Sequence, residues 1–203
     1  KAKSSFENNR YQTAINICIE ILNSEPSSLE ALKLIGSSML RLNRIDKAQK
    51  YLNKALTIDP NDYEVFKDLG NSYQQVGNTI LAKKYFEKSI TIKANYAPGL
   101  NNLGNLELIE GNKEKAITLF VKATKSNPML RTAWENLAKC YSQSGRLKEA
   151  EAAIKKAISI KPDFWNSQLF LANIMIRQNK FKEAELALRK SIDLKPDYFA
   201  SHL

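Results

Sequence analysis

Displaced by 34 residues, this chain falls back on itself. Ala14, Ala48, Ala82, Ala116, Ala150 and Ala184 occupy one register of that period without exception. The stretch from Arg131 to Phe164 shows the pattern most fully, in Trp134, Leu137, Ala138, Tyr141, Gly145, Ala150, Ile154, Ala157 and Pro162. A fixed period of this length marks a stack of supersecondary units, none of which can bury its apolar face alone. Such a chain grows by adding neighbours rather than by enlarging one core, so its 203 residues do not by themselves set a number of domains.

The series divides into a partial unit at 1–28, five complete units at 29–62, 63–96, 97–130, 131–164 and 165–198, and the start of another at 199–203. No linker or shift in composition interrupts it, which predicts one array over residues 1–203. In the partial unit the pattern predicts a clipped helix over Ala2–Asn8 and a second helix through Leu22. The eighth place of each unit is small: Ala2, Gly36, Gly70, Gly104, Ala138, Ala172. Two helices of a hairpin approach closely only where one side chain is minimal, which accounts for glycine there despite its helix cost of about 1 kcal/mol. The fifteenth place holds Asn9, Asn43, Gly77, Gly111, Gly145 and Asn179, the residue types that tolerate a left-handed backbone at a helix end. The closing place is Pro26, Pro60, Pro128, Pro162 and Pro196, with Ala94 the departure. A proline there stops the second helix and disfavours helical geometry in the residue before it. Leu32, Phe66, Leu100 and Trp134 recur at the fourth place, where Gln168 is the exception, and Cys18, Leu52, Phe86, Phe120, Ile154 and Leu188 at the twenty-fourth. Burying one such side chain is worth about 1.5–3 kcal/mol, so each interface between units has an apolar drive.

On these residues the chain resembles the tetratricopeptide repeat (TPR) family along its whole length. The resemblance implies an all-α fold, a right-handed superhelical solenoid of tandem TPR helix-turn-helix hairpins. It also implies that each unit's first helix lines a concave groove that holds peptides or partner helices, while the second helix forms the convex back. The function expected is that of a non-catalytic protein–protein interaction scaffold binding an extended or helical segment. The alternative is the substrate-docking arm of a larger enzyme such as a glycosyltransferase or sulfotransferase, since chemistry in this family usually comes from a different domain.

The residue inventory argues against chemistry within the chain. His202 is the only histidine, so neither a His-based zinc site nor a Ser-His-Asp triad can be assembled. There is no Cys-x-x-Cys and no phosphate-binding glycine loop, and the acidic residues look like scattered helix-surface charge. No metal and no cofactor is expected. Cys18 and Cys140 stand units apart among apolar neighbours and read as buried free thiols, which favours a reducing, cytoplasmic location. No apolar run approaches the roughly 18 residues of a membrane-spanning helix, and no membrane insertion is expected. Because the chain starts at Lys1 and stops early in a unit, it reads as a piece of a longer protein.

A formal charge of +10 raises nucleic acid as a partner, and the repeat register tests that. If the resemblance holds, places 2, 5, 6, 9, 12 and 13 line the groove. There Lys33, Arg41, Lys67, Lys139 and Arg177 face Glu30, Glu64, Asp68 and Glu135, a balance of +5 against −4. The excess charge falls mainly on second helices and turns, as at Lys83, Lys84, Lys88, Lys155 and Lys156. A nucleic-acid groove concentrates cations between exposed aromatics, so no specific nucleic-acid binding is expected.

The groove's polar signature is asparagine. Asn102 and Asn136 share the sixth place, and Asn71, Asn105 and Asn173 the ninth, with Asn101 and Asn166 nearby. A primary amide both donates and accepts, so a row of them can hold a peptide backbone with little regard for side chains. The row is similar in part to the asparagine ladder in the TPR arm of O-GlcNAc transferases, interrupted at the sixth place by Leu34, Asp68 and Phe170. Lys67, Asn71 and Asn102 also match three members of the carboxylate clamp of chaperone-binding TPR domains, but its two remaining cations fall on Thr132 and Asn136. The peptide-binding residues expected are therefore Lys67, Asn71, Asn102, Asn105, Asn136, Lys139 and Asn173. Apolar patches at Pro98, Leu108 and Ile109, and at Leu169, Phe170 and Ile176, point to a protein or peptide partner. Apolar faces near Ala2 and around Phe199 and Leu203 predict end-to-end self-association.

Overall fold

A computed structural model describes residues 1–197, and among them it holds twelve α-helices and no strand. The partial unit contributes α1 (Ala2–Glu7) and α2 (Tyr11–Ser24). First helices of the complete units are α3 (Leu29–Arg41), α5 (Tyr63–Gln75), α7 (Ala97–Ile109), α9 (Arg131–Gln143) and α11 (Trp165–Arg177). Second helices are α4 (Ile45–Ile58), α6 (Thr79–Ile92), α8 (Lys113–Ser126), α10 (Leu147–Ile160) and α12 (Phe181–Leu194). Each helix of either series starts 34 residues after its predecessor, so the sequence period is also the structural one. Helix α2 runs two residues past the predicted Leu22, because the Ser24 hydroxyl and the Glu25 amide both return to the Ile21 carbonyl. Residues 198–203, with Phe199, His202 and Leu203, lie outside the described residues, and so does the segment predicted to begin a further unit.

The turns follow from their residues. Asn9, Asn43 and Asn179 have φ of 59°, 57° and 59°, and Gly77, Gly111 and Gly145 have 76°, 86° and 74°. These are the left-handed positions at which the first helix of a unit stops and the chain reverses. At the other end, Asp59 before Pro60 is extended at φ −124°, ψ 97°. Lys93 before Ala94 is nearly identical at φ −129°, ψ 90°. The packing of the unit therefore imposes this bend, and proline reinforces it without being required.

The residues divide into two compact units, Lys1–Asn102 and Leu103–Leu203, each with its own core. In the first, Leu32, Ile35, Leu52, Phe66 and Leu69 are buried in one cluster. In the second, Ile117, Phe120, Leu137, Ile154 and Ile174 are. The eighth and twenty-fourth places meet across each hairpin: a Cβ on Gly36 would lie 2.6 Å from Leu52 Cδ2, and one on Gly104 2.7 Å from Phe120 Cε1. At Gly70 the obstacle is the ring of Phe86, itself fully buried. Cys18 and Cys140 are buried free thiols, and burial pushes both upward in pKa.

Candidate functional site

On a first helix, places five, six and nine share one face, since residues three and four apart are neighbours. In the first unit this face is already bonded to itself. The Ser37 hydroxyl donates to Asp68 Oδ2 at 2.5 Å, and the Lys67 ammonium pairs with Asp68 Oδ1. Asn71 Nδ2 donates to Asp68 Oδ1 at 3.4 Å, Asn102 Nδ2 to Asn71 Oδ1 at 2.7 Å, and Asn101 Nδ2 to Asn102 Oδ1 at 3.3 Å. The pattern joins the ninth place of one repeat to the sixth of the next. Asp68 thus completes this row as an acceptor rather than breaking it, and the Lys67 charge of the clamp-like trio is spent on Asp68.

The charge around that face is collected by Lys33. Its ammonium reaches Asp62 at 2.7 Å, Glu64 at 2.6 Å and Glu30 at 3.5 Å. Burial works to lower its pKa, but the hydrogen bonds it donates to Asp62 and Glu64 prevail and hold it above the usual lysine range. Asp62 also caps α5, accepting from the Glu64 and Val65 amides. A concavity of about 600 Å³ opens beside Lys33, Lys67, Asp68 and Tyr96. Burial, and then the carboxylates of Glu64 and Asp68, push the Tyr96 phenol well above its ordinary value.

The second unit differs. Asn105, Lys139 and Asn173 hold the ninth place in three successive repeats, and among the described residues none of their side chains has an intramolecular hydrogen bond or ion pair. Lys139 and Asn173 are exposed and Asn105 half-buried. Asn136 is half-buried and already engaged in a contact. Phe170, at the sixth place, packs against the core of this unit. With Phe164 and Leu169 it lines a concavity of about 440 Å³, edged by Glu135, Lys139 and Asn173. Glu135 is engaged there through Oε1: Arg131 pairs with that oxygen and the Ser167 hydroxyl donates to it at 2.5 Å. The Arg131 guanidinium in turn lies 4.0 Å from the centre of the Phe164 ring. The seven residues expected to bind peptide therefore separate into Lys67, Asn71, Asn102 and Asn136, which are engaged, and Asn105, Lys139 and Asn173, which are not.

One charged group differs from the sequence reading of scattered surface acids. Glu107 is 0 % exposed, accepting from Asn112 Nδ2 at 2.8 Å and from Lys115 Nζ at 2.6 Å. Its register elsewhere holds Met39, Tyr73, Tyr141 and Met175, so a lone acid in an otherwise apolar column was the available signal. Of the lysines assigned to the back, Lys84, Lys88, Lys155 and Lys156 are exposed and Lys83 is half-buried. Among the described residues no group of three His, Cys, Asp or Glu side chains could hold a metal ion, and no helix is long and apolar enough to cross a membrane.

Family models described as tetratricopeptide repeat match residues 5–73, 67–96, 97–128, 132–164 and 166–198. The chain belongs to the tetratricopeptide repeat family. The crystal structure of PilW, a widely conserved type IV pilus biogenesis factor, is similar over 97% of this chain and 91% of PilW, at a TM-score of 0.79 and 20% identity. A crystal structure of MamA aligns with 82% of this TPR chain and 97% of MamA, at 0.69 and 24% identity. YrrB, described as a TPR protein with an unusual peptide-binding site, aligns with 92% and 98% at 0.65 and 18% identity. No curated protein matches the TPR chain in sequence. These likenesses establish the TPR hairpin fold, and the family's role is protein interaction.

Proposed function

We propose that this TPR chain is a non-catalytic binding scaffold that holds an extended or helical segment of a partner protein on the first-helix face of its second unit. One observation carries the reading: the side chains of Asn105, Lys139 and Asn173 repeat in register with no partner among the described residues, and Lys139 and Asn173 edge an apolar-floored concavity. Amides within reach of water lose nothing by lacking a protein partner, yet they present paired donors and acceptors where a peptide backbone needs both. The peptide-binding description of YrrB supports such a use of the fold. The first-unit asparagines act differently in this reading: half of Asn71's hydrogen-bonding capacity is spent on Asp68 and Asn102, so they lock adjacent helices together. The same contacts would serve if these repeats were the docking arm of a larger enzyme.

The test is a dodecapeptide selected from a random displayed library against the whole chain. Asn105→Ala with Asn173→Ala removes hydrogen bonds worth about 1 kcal/mol each and lowers its affinity about tenfold or more. Helicity and urea midpoint stay at wild-type values, because neither amide supports the fold. Unchanged affinity in that double variant would refute the reading.

A further inference from the structure

We infer that the concavity of the second unit accepts an extended segment of a partner protein with an apolar side chain and, two residues away, an Asp or Glu side chain. The inference rests on the reading of this face as a binding face and specifies what it selects. Its floor is Phe164, Leu169 and Phe170, and its volume of about 440 Å³ lies in the size range of ligand-binding pockets.

The electrostatics of the rim decide the second element. Glu135 and Lys139 are the charged side chains that line it, and Arg131 joins them through Glu135 and the Phe164 ring. Arg131 and Glu135 neutralise one another, and the Ser167 hydroxyl donates to the same carboxylate oxygen, Oε1, at 2.5 Å. Lys139 is left exposed and without an intramolecular partner among the described residues, so the rim carries one uncompensated positive charge. A compact ammonium gains most from a carboxylate, which supplies a charge-assisted hydrogen bond.

Geometry sets the spacing. Lys139 stands on α9 and Phe170 on α11, and both line the same concavity, where the Ser167 hydroxyl of α11 also reaches Glu135 of α9. Side chains on one face of an extended chain recur about every 7 Å, and the flexible lysine stem adjusts its reach to that spacing. Asn173 follows Phe170 by one turn of α11 and faces the segment's backbone. The acid is a side chain rather than a chain terminus, because Asn105 continues the ninth-place row beyond Lys139 and gives the bound segment further to run.

Selection of dodecapeptides from a random library displayed with blocked C-termini, run in parallel on the wild-type chain and on Lys139→Glu, tests this. Wild type is expected to enrich an apolar residue two positions from Asp or Glu. Lys139→Glu is expected to lose the acid and enrich Lys or Arg instead. A synthetic, amidated wild-type winner binds Lys139→Glu about tenfold more weakly, and replacing its acid by Gln weakens it on wild type but not on the variant. Circular dichroism of Lys139→Glu matches wild type, since the residue is exposed. Winners without an acid, or the same winners from both proteins, overturn the inference while leaving peptide binding intact. Failure to enrich any peptide overturns the binding face itself and the inference with it.

Discussion

At the scale of single residues, the register of the repeat is written as paired sizes. Gly36 faces Leu52, and Gly70 and Gly104 face Phe86 and Phe120. Where the eighth place is alanine, at Ala2, Ala138 and Ala172, the twenty-fourth is Cys18, Ile154 or Leu188, and no ring has to be accommodated. Gly70→Ala gains helix propensity but drives a methyl group into the ring of a residue that is 0 % exposed. Overpacking of that kind costs about 1–3 kcal/mol, so urea unfolding of Gly70→Ala gives a lower midpoint than wild type. Adding Phe86→Ile, the pairing already used by Ala138 and Ile154, restores part of the loss. These pairs were legible in the sequence because both partners are periodic and apolar. Glu107 was not: its burial depends on Asn112 and Lys115 closing over it, and neither belongs to the repeat pattern.

At the scale of helices and turns, the chain stabilises its hairpins with contacts that no single repeat contains. Glu151 on α10 accepts from Lys155 of the same helix at 2.6 Å and, across the repeat boundary, from Lys180 at 2.8 Å and Gln178 at 3.0 Å, which ties the α11–α12 turn to α10. Burial works to raise its pKa, but those hydrogen bonds outweigh it and hold the carboxyl down to about 2. A carboxylate whose folded pKa is depressed adds stability above its unfolded pKa of about 4.3, and that stability is lost as pH falls through the folded value. Glu151→Gln is therefore less stable than wild type at pH 7, by only about 1 kcal/mol, because Lys155 is exposed and Lys180 partly so, and solvent screens both pairs. The difference shrinks between about pH 4.3 and pH 2, as urea midpoints across that range will record. Helix boundaries were legible to within a few residues from Asn, Gly and Pro placement, whereas partners 27 and 29 residues apart, such as Gln178 and Lys180 with Glu151, leave no local pattern.

Across the whole molecule, regularity builds the scaffold and its interruptions differentiate the two units. The asparagine row was visible in the sequence, but its division was not. Whether an amide is spent depends on its cross-helix neighbour, and Asn71 meets Asn102 and Asp68 while Asn173 meets none among the described residues. Phe170 looked like an interruption of that row and instead forms the floor of the concavity beside it. The central claim is that recognition belongs to the unengaged amides and that the engaged ones hold adjacent first helices together. Side-chain amide NMR of the isotope-labelled chain, titrated with a selected dodecapeptide, tests it most directly. The account predicts shifts at the Asn105 and Asn173 side-chain amides, with those of Asn71 and Asn102 unmoved; shifts confined to Asn71 and Asn102 would contradict it.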